Sequence, residues 1–408
     1  MNNEIFHYIG NIYTNFSGIS EKFIVLPHQI KKDMVERAIY TSIKKRFFLK
    51  KAILLIGPRQ VGKTTLLKQI IKENNPSESL FLNCDEPETL QMLTNVSSTE
   101  LKNIIGNKKI VLIDEAQRVE NVGIALKLII DNISDIQLIV TASSAFDLRN
   151  HLNESLTGRK FEYTLYPFST AELINATSCL EEKRLLEQRL IYGMYPDVVN
   201  NPSDTRKILI ELSSSYLFKD ILMYKDIRNS EVLMKLLTAL SLQLGNEVSY
   251  HELGNMIGVK SETIERYIEL LEKVFIIFRL QSFSRNLNNE LKKSRKIFFY
   301  DNGIRNAYIQ NYMPLELRTD TGALWENFMV SERKKFIEYN DIYSNTYFWR
   351  THAQQEIDYI EERNGILHAF EFKWNEKRKP KIPNAFADAY PQHEFQSINR
   401  TNYLEFIT

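Results

Sequence analysis

One stretch of the 408-residue chain has residue types and spacing suited to binding a phosphate tail. Gly57-Pro58-Arg59-Gln60-Val61-Gly62-Lys63-Thr64, followed by Thr65, fits G-x-x-x-x-G-K-[ST]. A triphosphate carries several negative charges at close range. Backbone N–H groups of such a loop, and the N-terminus of a helix behind it, face that charge directly. Gly57 and Gly62 permit conformations and close approaches that a Cβ obstructs. In this arrangement Lys63 reaches the β- and γ-phosphates, and the Thr64 hydroxyl holds Mg²⁺. Further along, the run Ile110–Ile113 ends in Asp114 and Glu115. Two carboxylates at a buried strand end need something to offset them. Mg²⁺ and a nucleophilic water meet that need, with Asp114 holding the metal's water shell and Glu115 orienting or deprotonating the water.

The elements that must position these groups are legible around them. Ala52–Ile56 is an unbroken apolar run, as in a strand buried on both faces. Leu66, Leu67, Ile70 and Ile71 repeat at helical spacing behind the loop. Strand, glycine-bounded loop and helix thus follow in the required order. Leu80–Asn83, Gln137–Thr141 and Phe161–Leu165 read as further strands, and residues 28–48 as an amphipathic helix. Its basic end (Lys44, Lys45, Arg46, Lys50, Lys51) reads as a solvated helix end rather than a phosphate-facing patch. Residues 1–26 carry no pattern that assigns a role.

Composition narrows the class. With 43% hydrophobic and 25% charged residues, the chain has the balance of a soluble globular protein of two to four domains. A net charge of +1 means that any nucleic-acid contact must use local basic patches. The two cysteines, Cys84 and Cys179, argue against a disulfide scaffold and fit a reducing cytoplasm. No signal-peptide pattern or bilayer-length apolar run is present.

The blocks GPRQVGKTT, VLIDEAQ, TASS, LTGRKFEYTLYPFSTAEL, YGMYPDVV, YLFKDIL, FYDNGIRNA, GALWENFMVSER, YFWR, EIDYI and AFEFKW are similar to those of a prokaryotic AAA+-type ATPase family whose members carry an uncharacterised C-terminal region. The match covers most of the chain from about residue 30, with Ala142 standing where relatives often have glycine. The resemblance implies an α/β fold with four parts. These are a P-loop NTPase core with a parallel sheet (51–165, after an N-terminal segment and helix, 1–50), a helical lid (166–228), a winged-helix module (229–318), and an α/β restriction-endonuclease-like domain (319–408). In this class a polar residue at the strand tip senses the γ-phosphate; Ser143 or Ser144 fits, and a serine turn or helix cap is the competing reading. Arg159 is open between a finger to a neighbouring subunit's nucleotide and a surface salt bridge.

In the winged-helix segment, Ser261–Val274 reads as the third helix. Its outer face carries Glu262, Glu265, Glu269 and Glu272 against Arg266 and Lys273. Phosphates would repel it, so it reads as a spacer or a protein-contact face. Arg285, Lys292, Lys293, Arg295 and Lys296 follow, and would let a wing touch backbone phosphates.

The last region holds a second constellation. Asn364-Gly365 is a two-residue hairpin signal between the strands Glu356–Glu361 and Ile366–Trp374. Counting outward from Arg363 opposite Ile366, Asp358 falls opposite Glu371 and Glu356 opposite Lys373. Opposed residues have Cβ atoms about 5 Å apart, and opposed carboxylates destabilise a hairpin unless positive charge lies between them. Asp358, Glu371 and Lys373 resemble the PD-(D/E)xK nuclease core, where that charge is Mg²⁺ or Mn²⁺. The resemblance implies a metal that polarises the scissile phosphate and acidifies water, with Lys373 orienting the water and Glu326 completing the shell. The competing reading is an exposed hairpin with Glu356–Lys373 pairing. Lys377, Arg378, Lys379 and Lys381 suit a nucleic-acid backbone.

The sequence therefore leads to an ATP- and Mg²⁺-dependent cytoplasmic ATPase coupled to a metal-dependent, nuclease-like domain acting on DNA, with no membrane association. Homo-oligomers and a protein partner on the acidic helix are compatible with it. The alternative is a nucleotide-controlled binding switch that grips nucleic acid or protein without cutting. A helicase or loader has no second motor core or strand-separating element to support it.

Overall fold

The computed structural model describes residues 35–143, 156–216, 229–285, 294–351 and 353–408. Ser144, Lys292, Lys293 and the end of the expected lid segment lie outside the described residues.

The apolar runs form a parallel sheet: β1 (Ala52–Ile56), β2 (Ser79–Asn83), β3 (Ile110–Asp114), β4 (Gln137–Ala142) and β5 (Lys160–Thr164), in the order β2-β3-β4-β1-β5. β1, β3 and β4 are buried along their whole length, as strands covered on both faces must be. The crossovers include the Lys63–Glu73 and Val122–Asn132 helices, and a Ser98–Ile105 helix started by a Ser97/Glu100 capping box. Register aligns the strand ends: Ile56 pairs with Ala142, and Asn83 with Asp114. Gly57, Asp114 and Ser143 therefore emerge together at one edge. The helix expected over 28–48 is shorter among the described residues, running Ile39–Lys44. Val35–Arg37, just before it, is buried at Val35 and Arg37 but not helical.

After β5 the chain forms the Thr170–Ala176, Cys179–Tyr192, Pro196–Asn200 and Thr205–Glu211 helices. The second of these is fastened to residues far ahead in sequence. Met194 N–H donates to Asp301 at 2.7 Å, and the Asn306 amide donates to the Ile191 carbonyl at 2.8 Å. A Cβ on Gly193 would stand 2.0 Å from the Asp301 carboxylate, so this approach requires glycine. The segment expected as a lid is thus tied to the C-terminal half.

Three helices, Ser230–Leu242, Tyr250–Ile257 and Ser261–Lys273, lead into β6 (Ile277–Ser282) and its antiparallel partner β7 (Arg295–Phe299). The third helix buries Ile264, Tyr267, Ile268, Leu270 and Leu271. Its acidic face is smaller than expected, because Glu272 turns onto Arg279 of β6 at 2.5 Å.

β6 and β7 continue a sheet with β8 (Asn345–Arg350), β9 (Glu356–Arg363), β10 (Ile366–Phe372) and β11 (His393–Ile398), in the order β11-β10-β9-β8-β6-β7. One sheet therefore crosses the boundary expected between residues 318 and 319. The parallel β6–β8 contact is short, Gln281 to Tyr347 and Ser282 to Phe348. The β9–β10 hairpin has the register counted from the sequence, with Arg363 opposite Ile366 and Tyr359 opposite Phe370. Asn364 (φ 51°) and Gly365 (φ 80°) both adopt the left-handed conformation that a tight primed turn demands.

The 19-residue Thr321–Tyr339 helix carries buried groups on most of its surface, among them Glu332, Arg333 and Lys335. Arg333 forks onto Glu361 of β9 at 2.6 and 3.0 Å. Lys335 donates to Glu332 and to the Phe168 carbonyl. The Thr170 N–H donates to Glu332 at 2.6 Å. Through these bonds the helix holds the six-stranded sheet on one side and the segment just after β5 on the other.

Candidate functional site

At the loop, Gly57 has φ 152°, and a Cβ there would stand 2.1 Å from the Leu165 carbonyl oxygen. Only glycine lets β1 turn so close to the chain leaving β5. Gly62 (φ 96°) is the left-handed N-cap of the Lys63–Glu73 helix, whose first turn has no acidic residue to oppose an anion. Lys63 is buried, and its ammonium donates to the carbonyls of Gly57 (2.8 Å) and Pro58 (2.9 Å). Thr64 donates its hydroxyl to Asp114 at 2.6 Å. Pro58 and Val61 are buried, Arg59 and Gln60 are half-buried, and Gln60 has φ 61°. Thr65 points to solvent, on the outer side of the helix from Leu66 and Leu67.

Strand ends supply the rest. Asp114 accepts from Thr64 with one oxygen and from the Thr141 hydroxyl with the other. Glu115 (φ 54°) is half-buried and receives the Gln117 amide at 2.5 Å. The same amide donates to Ser143 at 2.8 Å. Gln117 thus links the acid at the end of β3 with the serine after β4. Ser143 is the member of the Ser143/Ser144 pair that the described residues bring here.

Arg159 lies just before β5, at the sheet edge opposite the loop, where Ala52 N–H donates to its carbonyl. Its guanidinium pairs with Asp131 at 2.8 Å, both side chains partly exposed. This is the surface ion pair, and it places Arg159 away from this chain's own loop.

The second site gathers Asp358, Glu371, Lys373 and Glu326, with two further members. Asp358 accepts from Phe372 N–H (2.8 Å) and from the Lys373 ammonium (3.2 Å). Lys373 also pairs with Glu371 at 2.5 Å. Lys296 of β7 is only 1% exposed; its ammonium sits on Glu326 at 2.8 Å and on Glu356. This corrects the expectation that Lys296 faces phosphates as part of a wing. Arg295 stacks on Tyr250 and Arg285 on Tyr390. Glu356 pairs with Lys296, not Lys373. Burial, then the neighbouring Asp358 charge working against Lys296, pushes the Glu326 carboxyl up to about 7. Burial and Asp358, opposed by Lys373, do the same for Glu371, to about 7. The Lys296 pKa is raised because Glu326, Glu356 and Asp358 outweigh the burial that lowers it.

The donor oxygens suit a hard cation, but among the described residues no group of three or more carboxylate, histidine or cysteine side chains is arranged to hold a metal. The positive charge between Asp358 and Glu371 is the Lys373 ammonium, and that between Glu326 and Glu356 is Lys296. All three tryptophans are structural. Trp325 is fully buried against Trp374, Phe328 and Tyr403, and Trp349 packs on Phe386.

Sequence reasoning missed Gln117 as a bridge, Lys296 as a buried cation, and Arg37. Gln117 was legible in part from its place two residues after Glu115. The other two carry no local signal.

Strand order, loop and strand-end acids have the arrangement of a P-loop nucleotide-binding fold. The family model described as an AAA domain matches residues 49–174. Two models described as domains of unknown function match residues 183–314 and 321–403. The chain is 25% identical over 330 residues to an uncharacterised protein of Mycobacterium tuberculosis, covering 79% of this chain and 70% of that one. It is 23% identical over 401 residues to an uncharacterised protein of Methanocaldococcus jannaschii, covering 91% and 85%. Among solved structures, AMPPCP-bound DnaA from Aquifex aeolicus matches with a TM-score of 0.27 and 15% identity, over 61% of this chain and 92% of that one. Among the described residues no helix is long and apolar enough to cross a membrane.

Proposed function

We propose that the protein binds and hydrolyses ATP at the Gly57–Thr64 loop and uses the nucleotide state to control its C-terminal half as a binding switch. The observation that carries this is the joined set Lys63, Thr64, Asp114, Glu115 and Gln117 at one sheet edge. The set fits a triphosphate and its cation. Thr64 and Asp114 offer the oxygens that Mg²⁺ takes, and Mg²⁺ when bound neutralises phosphate charge. Lys63 exchanges its two carbonyl partners for phosphate oxygens. Glu115 is the group to orient or deprotonate the attacking water, and Gln117 holds it against Ser143 in the γ-phosphate-sensing place. Wild-type chain should release phosphate from ATP in Mg²⁺, and Glu115→Gln should bind ATP but turn over slowly. Equal turnover by the two would overturn Glu115's role.

On the C-terminal side, the buried Lys296 pairs favour binding without cutting. A second reading, metal-dependent DNA cleavage, is favoured by one observation: the hairpin brings Asp358, Glu371 and Lys373 into contact, directly before the exposed run Lys377, Arg378 and Lys379. An assay on supercoiled plasmid and on short linear and branched DNA, with Mg²⁺ or Mn²⁺ and with or without ATP, separates the two. Cutting lost in Asp358→Ala establishes the nuclease. Retained DNA binding with no cutting establishes the switch. The winged-helix reading of residues 229–318 belongs with either, as a spacer or protein-docking element.

A further inference from the structure

Arg37 is only 5% exposed, and its guanidinium is spent on three elements. Nη1 donates to the Val61 carbonyl inside the loop at 2.5 Å. Nη2 donates to the Tyr166 carbonyl at 2.6 Å, and Nε to Glu172 at 3.0 Å. The group also lies over the Phe168 ring. A planar fork with fixed donor directions reaches three acceptors that a lysine cannot satisfy together.

Two of these partners, Tyr166 and Glu172, lead onward to the Thr321–Tyr339 helix. Tyr166 donates its N–H to the Tyr339 hydroxyl at 3.1 Å and its own hydroxyl to Glu338 at 2.7 Å, and stacks on Tyr300. The residue before it, Leu165, is the one whose carbonyl crowds Gly57, and its N–H donates to Ile56 at 2.7 Å. Glu172 accepts from Arg37, from Ala38 N–H at 2.9 Å and from Ser169 N–H at 2.8 Å. Ser169 and Glu172 cap the short helix whose Thr170 N–H donates to Glu332. From Glu332 the same helix runs back to Glu326 in the lysine–carboxylate cluster. The seam between loop and helix is therefore a chain of buried and part-buried hydrogen bonds, most of them to a charged group, where a displaced partner is costly.

We propose that Arg37 is a positioning residue of the nucleotide site: it holds the Val61 carbonyl in the loop and links loop occupancy to the Thr321–Tyr339 helix. This rests on the reading of the loop as an ATP site. When phosphate draws the loop N–H groups, the Val61 peptide shifts against a fork that is also bound to Tyr166 and Glu172. The helix then feels the change through Tyr339, Glu338 and Glu332. By reciprocity, anything that stabilises one arrangement of the helix alters nucleotide affinity by the same factor.

The tryptophans make this measurable, since Trp325, Trp349 and Trp374 all lie within or after that helix and none lies in residues 51–165. The experiment uses the full chain, wild type and the variants Arg37→Gln, Arg37→Lys and Glu172→Gln. ATPγS with Mg²⁺ is titrated by calorimetry and by tryptophan emission, alongside kcat and KM for ATP. Wild type should bind and change its emission. Arg37→Gln should weaken affinity about tenfold or more, the loss of charged hydrogen bonds, and should lose the emission change even at saturation. Arg37→Lys should recover part of the affinity, and Glu172→Gln should shrink the emission change. If Arg37→Gln does not fold, these two variants carry the test. An emission change of wild-type size at saturation in Arg37→Gln or Glu172→Gln, or none in a wild type that binds, overturns the proposal. A wild type that binds no ATPγS overturns the ATP-site reading itself.

Discussion

Two buried lysines divide the molecule. Lys63 rests on two backbone carbonyls of its own loop, while Lys296 rests on two carboxylates from different elements. Neutral carbonyls hold an ammonium weakly enough that phosphate oxygens can replace them. Carboxylates in a low-dielectric site hold it tightly, and removing either partner strands an unpaired charge. The same residue type thus serves as an exchangeable contact at one sheet edge and as a fixed one in the other sheet. The chemistry of an ammonium is decided by whether its partner can be spared.

The sharpest break in that comparison is Lys296→Met. It strands Glu326, while Glu356 keeps Arg350, and should destabilise the fold by about 3–5 kcal/mol, read from urea unfolding. The double variant Lys296→Met/Glu326→Gln should recover part of the loss. A single variant as stable as wild type would remove the contrast. On the other side, Lys63→Ala should lower ATP turnover by about 10²–10³-fold, as losing one preorganised donor does. Turnover near wild type would show that the loop lysine is also a fixed contact.

A smaller effect comes from pH. Glu326 and Glu371, each pushed to about 7, hold protons in the folded chain that the unfolded chain has released. Stability should therefore fall as pH rises from about 4.5 to about 7, then level off. The loss is on the order of 3 kcal/mol per group. Glu326→Gln should flatten that slope, and a slope unchanged in this variant would place the titration elsewhere. The smallest effect belongs to Arg159→Ala. An exposed ion pair contributes about 0–1 kcal/mol, so unfolding and single-chain turnover should barely change. A large loss of turnover that depends on protein concentration would instead return Arg159 to the role of a finger.

Legibility in the sequence followed locality. The loop, the strands around it and the β9–β10 register were readable, because glycine, alternation and turn chemistry act over a few residues. Asn364-Gly365 fixes its hairpin through two left-handed residues, and nothing distant competes. Lys296 misled because it ends the basic run Lys292–Lys296 and reads as surface. Only the β6–β8 junction brings Glu356 into its neighbourhood. Arg37 was invisible for the same reason: Val61, Tyr166 and Glu172 lie 24, 129 and 135 residues away. Charge compensation in a core is a property of tertiary contacts, and local pattern does not encode it.

The short parallel junction between β6 and β8 has a consequence for biosynthesis. Both strands of the β6–β7 hairpin leave the ribosome some fifty residues before Tyr347 and Phe348, the residues that cover β6. At roughly 5–20 residues per second the nascent chain spends several seconds with that edge open. An unpaired edge invites pairing with another chain, so this interval is when the polypeptide most needs a chaperone's cover. A stop codon falling in it would leave the β6 edge open for good.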